Sequence, residues 1–169
     1  MLWGCVLSGE LLILANDIFP YRRQQLRSIH PKGGFVDYDL PFPEYSSSLT
    51  ESACQIAKAR MRKSDPSLGT VLRRNLRGEV VSADGAPLFI IAGGEVRAPQ
   101  PPTPSVEYET AVSAIMKAGL PFAVRTLDTE QIAAAEELFY ADHRGITSLH
   151  SAGGHNYLHL GAERIARFF

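Results

Sequence analysis

Several features that would narrow a function at once are scarce in this sequence. Cysteine is nearly absent: Cys5 and Cys54 are the only two in 169 residues. They are far apart and outside any C-x-x-C pattern, which excludes a disulfide framework and a cysteine-built zinc centre. Excess charge of either sign is missing as well, with a formal net charge of −1 and 21% charged residues. A protein of that balance does not depend on phosphate-backbone attraction, so nucleic acid is not an expected partner, and the cluster Arg22, Arg23, Arg27 reads as a solvated face. Long apolar runs are also lacking. The opening stretch MLWGCVLSGELLILANDIF is broken by Glu10 and lacks a basic leader, and no span reaches the roughly 20 residues of a membrane crossing, so neither membrane nor export is expected. A reducing cytoplasm is the default location.

What is present suits one core: 45% of the residues are apolar, enough for a single unit of this length. The N-terminal run reads as strand material, turning at Ser8-Gly9-Glu10. Residues 16 to 47 hold Pro20, Pro31, Gly33, Gly34, Pro41 and Pro43, a turn-rich composition with at most a short strand around Phe35 to Tyr38. Residues 1–48 are thus expected to be an irregular segment with short strands, and 49–169 the compact unit. Ser48 and Glu51 have capping-box spacing, and Ala53, Ile56, Ala57 and Met61 recur at helical spacing before Asp65-Pro66, which predicts a helix over 49–63. Strands are predicted at Gly69 to Asn75, Glu79 to Ala83 and Leu88 to Ile91, with a Gly93-Gly94 turn leading to Val96.

The stiff Pro99 to Pro104 connection delivers the chain to a second helix. Thr103 or Ser105 can cap it, Glu107 and Glu109 suit its positive end, and Val106, Ala111, Val112, Ile115 and Ala118 form its stripe as far as Gly119. Phe122 to Arg125 is a strand, and Asp128 with Gln131 caps a short helix ending near Ala135. In ELFYADHRGITSL an apolar strand runs into Asp142, His143 and Arg144 and resumes past Gly145, so this is a strand, a polar turn and a strand. A last helix is expected over Ala162 to Phe168. Interleaved strands and helices of this kind make an α+β fold, a mixed sheet or small barrel flanked by helices. Of His143, His150, His155 and His159, the pair His155 and His159 could share a helical face as metal ligands; no H-E-x-x-H pattern accompanies them, and no metal is assigned.

The order of these pieces resembles the C-terminal domain of the class IV (fold type IV) pyridoxal-phosphate enzymes, namely branched-chain aminotransferases, D-amino-acid transaminases and aminodeoxychorismate lyases. Gly78, Leu88-Phe89, Gly94 to Pro99, Lys117-Ala118-Gly119, Ala135-Glu136-Glu137-Leu138-Phe139 and Gly145-Ile146-Thr147 follow one another as the family's motifs do, over residues 49 to 150. The resemblance implies pyridoxal phosphate as cofactor and an amino acid or keto acid as substrate. It also implies a lysine for the Schiff base, which spacing from Gly78 puts at Ser48, Leu49 or Thr50, and a second gap placement at Pro41. Neither placement holds a lysine; Lys32 precedes the serines, and Lys58 and Lys63 read as surface residues of the predicted helix.

For the remaining contacts the resemblance assigns Ser82 to the position of the glutamate that keeps the pyridine nitrogen protonated, with Asp84 two positions on along the same strand. It assigns Ser105, Val106 and Glu107 to the helix start that cups the phosphate, and His143 to a hydroxyl on the strand-turn that also faces it. Glu107 replaces a threonine there, and a carboxylate repels a phosphate. The family's first domain, with its D-x-G segment, has no counterpart in these residues. Two functions follow as expectations: a shortened class IV aminotransferase-like protein with a degenerate cofactor site, or a non-catalytic binding or assembly module, either of them a homo-oligomer or bound to a partner chain.

Overall fold

In a computed structural model of the chain, residues 2–7, 10–15, 26, 27, 29–40, 43 and 48–169 are described. In chain order the elements are β1 (Leu2–Leu7), β2 (Glu10–Ala15), β3 (Lys32–Asp37), α1 (Ser48–Ser64), β4 (Leu68–Arg74), β5 (Val80–Ala83), β6 (Leu88–Ala92), β7 (Glu95–Ala98), α2 (Val106–Lys117), β8 (Phe122–Val124), α3 (Thr129–Ala133), β9 (Glu137–Asp142), β10 (Gly145–Ser148), β11 (Ser151–Ala152), β12 (His155–Asn156) and α4 (Leu160–Ala166). The opening run forms the expected antiparallel pair β1–β2. Among the described residues, no helix is long and apolar enough to cross a membrane.

Two five-stranded sheets carry the architecture, in the orders β10-β9-β6-β7-β8 and β12-β11-β3-β4-β5. Runs such as Leu88-Phe89-Ile90-Ile91 and Leu138-Phe139-Tyr140-Ala141 are apolar on both faces, which suits central strands covered on both sides. Alternation then divides them. Leu88, Ile90, Leu138 and Tyr140 join Leu72, Val80 and Leu149 between the sheets, while Phe89, Ile91, Phe139 and Ala141 pack under α2 and α4 with Tyr108, Ile115 and Ile165. The second sheet is mixed: β3 is parallel to both β4 and β11, and β5 is antiparallel to β4. Helix α1 makes the crossover between β3 and β4 and covers the outer face of that sheet through Cys54, Leu68 and Val71, with Val36 and Met61 beside them. Among the described residues, the two mixed sheets with four helices make an α+β half-barrel.

The chain passes from the second sheet to the first at Asp84-Gly85. Both residues have positive φ, 49° and 82°, and Ala83 and Ala86 exchange backbone hydrogen bonds of 3.0 and 2.8 Å across them. That is the two-residue turn favoured by an Asp-Gly pair, because aspartate tolerates and glycine readily adopts the left-handed region. Strand β3 lies at the centre of its sheet, and two glycines allow it. A Cβ at Gly33 would meet the Leu149 side chain at 2.7 Å, and one at Gly34 would meet Met61 at 2.8 Å and press on Leu68.

The helix faces differ from the pattern expected of them. In α1 the inward residues are Cys54, Ala57 and Met61, and Ile56 is 63% exposed. In α2, Tyr108 is buried where Val106 was expected, and Val106 is 72% exposed. The α1 stripe is rotated by about one residue, since a pattern of small residues such as alanine defines a face poorly, whereas in α2 the expected Ala111, Ile115 and Ala118 are buried and only the first turn differs. The Ser48 side chain lies outside the described residues, whereas the box at α3 is present: Asp128 Oδ1 accepts from the Gln131 amide at 2.7 Å, and Gln131 Oε1 accepts from the Asp128 amide at 2.9 Å.

Candidate functional site

One end of the sheet pair carries a group of polar side chains around the Asp84-Gly85 turn. Strand β6 begins there and β9 ends there, because the two are antiparallel with Leu88 opposite Tyr140. The Ala141 amide donates to Pro87 O at 3.1 Å, tying the end of β9 to the Asp84-Gly85 turn. Strand β7 also ends at this side, as Ile90 pairs with Arg97, so the proline connection carries the start of α2 to it.

Asp84 is the hinge of the arrangement. Its amide donates to Val71 O at 2.8 Å, Oδ1 accepts from the Val71 amide at 2.9 Å, and Oδ2 takes Lys58 Nζ at 2.6 Å. Sequence reasoning put Asp84 on a strand; the structure puts it in the left-handed turn after the strand. The same reasoning made Lys58 a surface residue, yet its side chain is 17% exposed against 16% for Asp84. Helical spacing explains the correction: Cys54, Lys58 and Met61 follow at i, i+4 and i+7 along the inward face once the stripe is rotated. A single carboxylate therefore closes the turn, satisfies β4 and neutralises the ammonium.

Beside this pair, Tyr140 is raised above its ordinary pKa by burial first, with the hydroxyls of Thr147 and Thr70 next to its phenol. Neither threonine hydroxyl completes a hydrogen bond of good geometry, and both are sealed from solvent. The β9–β10 turn is closed by Asp142, whose Oδ1 accepts from the Arg144 amide at 2.8 Å and whose Oδ2 pairs with Arg144 Nη2 at 2.6 Å. Hydrogen bonding to Asp142 raises the Arg144 pKa.

On the α1-facing side of the second sheet lies another group. Ser82 stands opposite Arg73 in the β4–β5 register, and both are 8% exposed. The Arg73 guanidinium lies 5.7 Å from the centre of the Tyr38 ring. Cys54 lies beside Tyr38, and burial first, with Asp84 next, pushes its thiol up to about 11.

The five residues assigned to cofactor contact divide into three places. Ser105, Val106 and Glu107 are together at the start of α2, where Ser105 Oγ accepts from the Tyr108 amide at 3.2 Å and donates to Glu107 Oε2 at 3.1 Å. The shallow depression there is lined by Pro104, Ser105, Val106, Glu109 and Thr110, and neither Ser82 nor His143 contributes to it. Ser82 faces Arg73 under α1. His143 is exposed on the β9–β10 turn. His155 lies in β12 and His159 precedes α4, so the two share no helical face; His159 instead packs against His30 with ring centres 4.9 Å apart and the planes tilted by 38°. Lys58, Arg73, Tyr38 and Cys54 were not singled out as site residues; the Asp-Gly pair was the signal available for the turn at Asp84, and nothing local marked Lys58 or Arg73.

No protein-family model matches the chain, and no curated protein matches it by sequence. Solved structures do match. The M4 mutant of the branched-chain amino acid aminotransferase from Thermobaculum terrenum superposes with a TM-score of 0.75 at 18% identity, over 98% of this chain and 57% of its own. The Escherichia coli branched-chain amino acid aminotransferase gives 0.70 at 14% identity, over 80% of this chain and 50% of its own. The PLP (holo) form of the Thermobaculum terrenum enzyme gives 0.70 at 20% identity, over 82% and 48%. The chain thus spans about half the length of these structures. Its fold is that of the class IV, fold type IV, aminotransferases.

Proposed function

We propose that this chain is a class IV aminotransferase-like lobe without the covalent chemistry of pyridoxal phosphate, serving as a binding or assembly module. The observation that carries this reading is the state of Lys58. A lysine that forms an imine must offer a neutral amine to the aldehyde. Lys58 Nζ lies 2.6 Å from Asp84 Oδ2 with both side chains mostly buried, so the amine is engaged in an ion pair under α1 and is not free to add to an aldehyde.

The phosphate side points the same way. At the start of α2, where free amides and a helix dipole would favour a phosphate, the Ser105 hydroxyl is committed to the helix itself and the Glu107 carboxylate stands beside it. Ser82, in place of a carboxylate, cannot hold the proton of a pyridine nitrogen. These residues do not fit the cofactor that the Thermobaculum terrenum holo-form carries, and turnover of amino or keto acids is not assigned to this chain. Exposed apolar side chains, Leu158 at 60% and Leu160 at 68%, favour association with a second copy or a partner chain.

The test is to add pyridoxal phosphate, follow imine absorbance, reduce with borohydride and map adducts by mass, alongside sedimentation over a range of protein concentrations. The expected result is no reduced adduct on Lys58 and a sedimentation coefficient that rises with concentration. A stoichiometric adduct on Lys58, absent in Lys58→Ala, overturns the reading.

A further inference from the structure

Two imidazoles meet on the surface beside α4. His30, just before β3, and His159, just before α4, have ring centres 4.9 Å apart with their planes tilted by 38°, and both residues are exposed. Backbone hydrogen bonds hold each of them in place. His159 O accepts from the Glu163 amide at 2.9 Å, and the neighbouring Leu158 amide donates to Glu136 O at 2.9 Å. On the other side, Pro31 O accepts from the His150 amide at 3.0 Å and His150 O accepts from the Tyr157 amide at 2.9 Å, so the β11–β12 hairpin ties the two segments together.

The spacing of the rings is that of two ligands on one ion. With a metal–nitrogen bond of about 2.0–2.1 Å and a nitrogen about 1.1 Å from its ring centre, two imidazoles at an angle of about 90–110° on one metal have centres about 4.4–5.2 Å apart. The 4.9 Å between His30 and His159 falls inside that range. An exposed imidazole turns about its last torsion at little cost, so each ring can aim one nitrogen at a common centre without moving the chain. His159 makes no side-chain capping bond that would hold its ring elsewhere. The positive end of α4, which would disfavour a cation, is met by the Glu137 carboxylate on the Gly161 and Ala162 amides.

We infer that His30 and His159 form a chelating site for one divalent first-row transition-metal ion of the class of zinc, nickel or copper. Imidazole suits these ions, whereas magnesium and calcium prefer oxygen ligands. Among the described residues, no group of three or more histidine, cysteine or carboxylate side chains is placed to hold a metal. Water therefore fills the remaining positions, and the ion exchanges with solvent, unlike a closed structural centre. Bound there, it clips the chain ahead of β3 to the start of α4. The site goes beyond the binding-module reading and uses none of the residues that carry it, so either can fail alone.

Calorimetric titration of the full chain with nickel, zinc and magnesium chlorides at neutral pH tests it. The expected result is saturable binding of one nickel or zinc ion per chain, with no binding of magnesium. His30→Ala and His159→Ala should each weaken nickel binding by about ten-fold or more, and the double variant no further than either single one, because a chelate needs both rings. His143→Ala, on the β9–β10 turn, should leave the affinity unchanged. Nickel should also raise the thermal midpoint of the native chain and not that of the His30 or His159 variants, since an ion held only by the folded state stabilises it. Affinity retained in either single variant, one ion shared between two chains, or no saturable binding, as a ring contact alone would give, overturns the assignment.

Discussion

Cys54 and Tyr38 meet under α1 and keep their protons far into alkali. Burial, before any charge effect, lifts the Tyr38 phenol to about 12 from an ordinary 10.0 and the Cys54 thiol to about 11 from 9.0. In both groups the folded-state value lies above the unfolded one, so the folded protein binds protons more tightly through that window. The thiol's contribution is complete below about pH 9 and is lost as pH rises through about 11, and the phenol's is complete below about pH 10 and is lost through about 12. In a Cys5→Ser background, thiolate absorbance should therefore titrate near 11, and the thermal midpoint should fall over the same interval. Cys54→Ala should flatten the first part of that fall. A thiol that ionises at its ordinary value would show that Cys54 is not enclosed by α1 and Tyr38.

Among the elements, α4 begins in an unusual way. Its N-cap residue, His159, makes no side-chain capping bond. The cap comes from another element: Glu137, at the start of β9 and 6% exposed, accepts from the Gly161 amide at 2.7 Å and the Ala162 amide at 2.8 Å. A carboxylate at a helix start satisfies orphan donors and meets the positive end of the dipole. Glu137→Ala leaves two amides without acceptors and should cost about 1–3 kcal/mol in denaturant unfolding, with Glu137→Gln losing less because one acceptor remains. An alanine variant as stable as the native chain would mean that α4 is held by its apolar face alone. This cap was not legible in the sequence, where Glu137 reads as the first residue of a strand, whereas the Asp128–Gln131 box was legible because its partners are three residues apart.

The whole molecule hangs on β9 and β6, which face both cores. Phe139 stacks on Phe89 at 5.2 Å, and Phe89 on Tyr108 at 5.8 Å, so one row of rings joins the first sheet to α2. Leu138 and Tyr140, the residues on either side, pack between the sheets. Phe139→Ala should cost about 3–5 kcal/mol and lower the midpoint of a single cooperative transition, read by tyrosine fluorescence and circular dichroism together. Two separated transitions would show that the sheets unfold independently and that β9 does not couple them.

The sequence by itself determined the succession of strands and helices, the positions of the main turns and the α+β class, because apolar periodicity and capping residues act within a few positions of one another. The order of its motifs also pointed to the aminotransferase fold. Tertiary structure alone decided which faces meet. Lys58 reaches Asp84 across 26 residues, and Arg73 lies under Tyr38 only because β3 and β4 are parallel neighbours with α1 above them. A local pattern says which side of an element is apolar; strand order and register decide what that side finds opposite it.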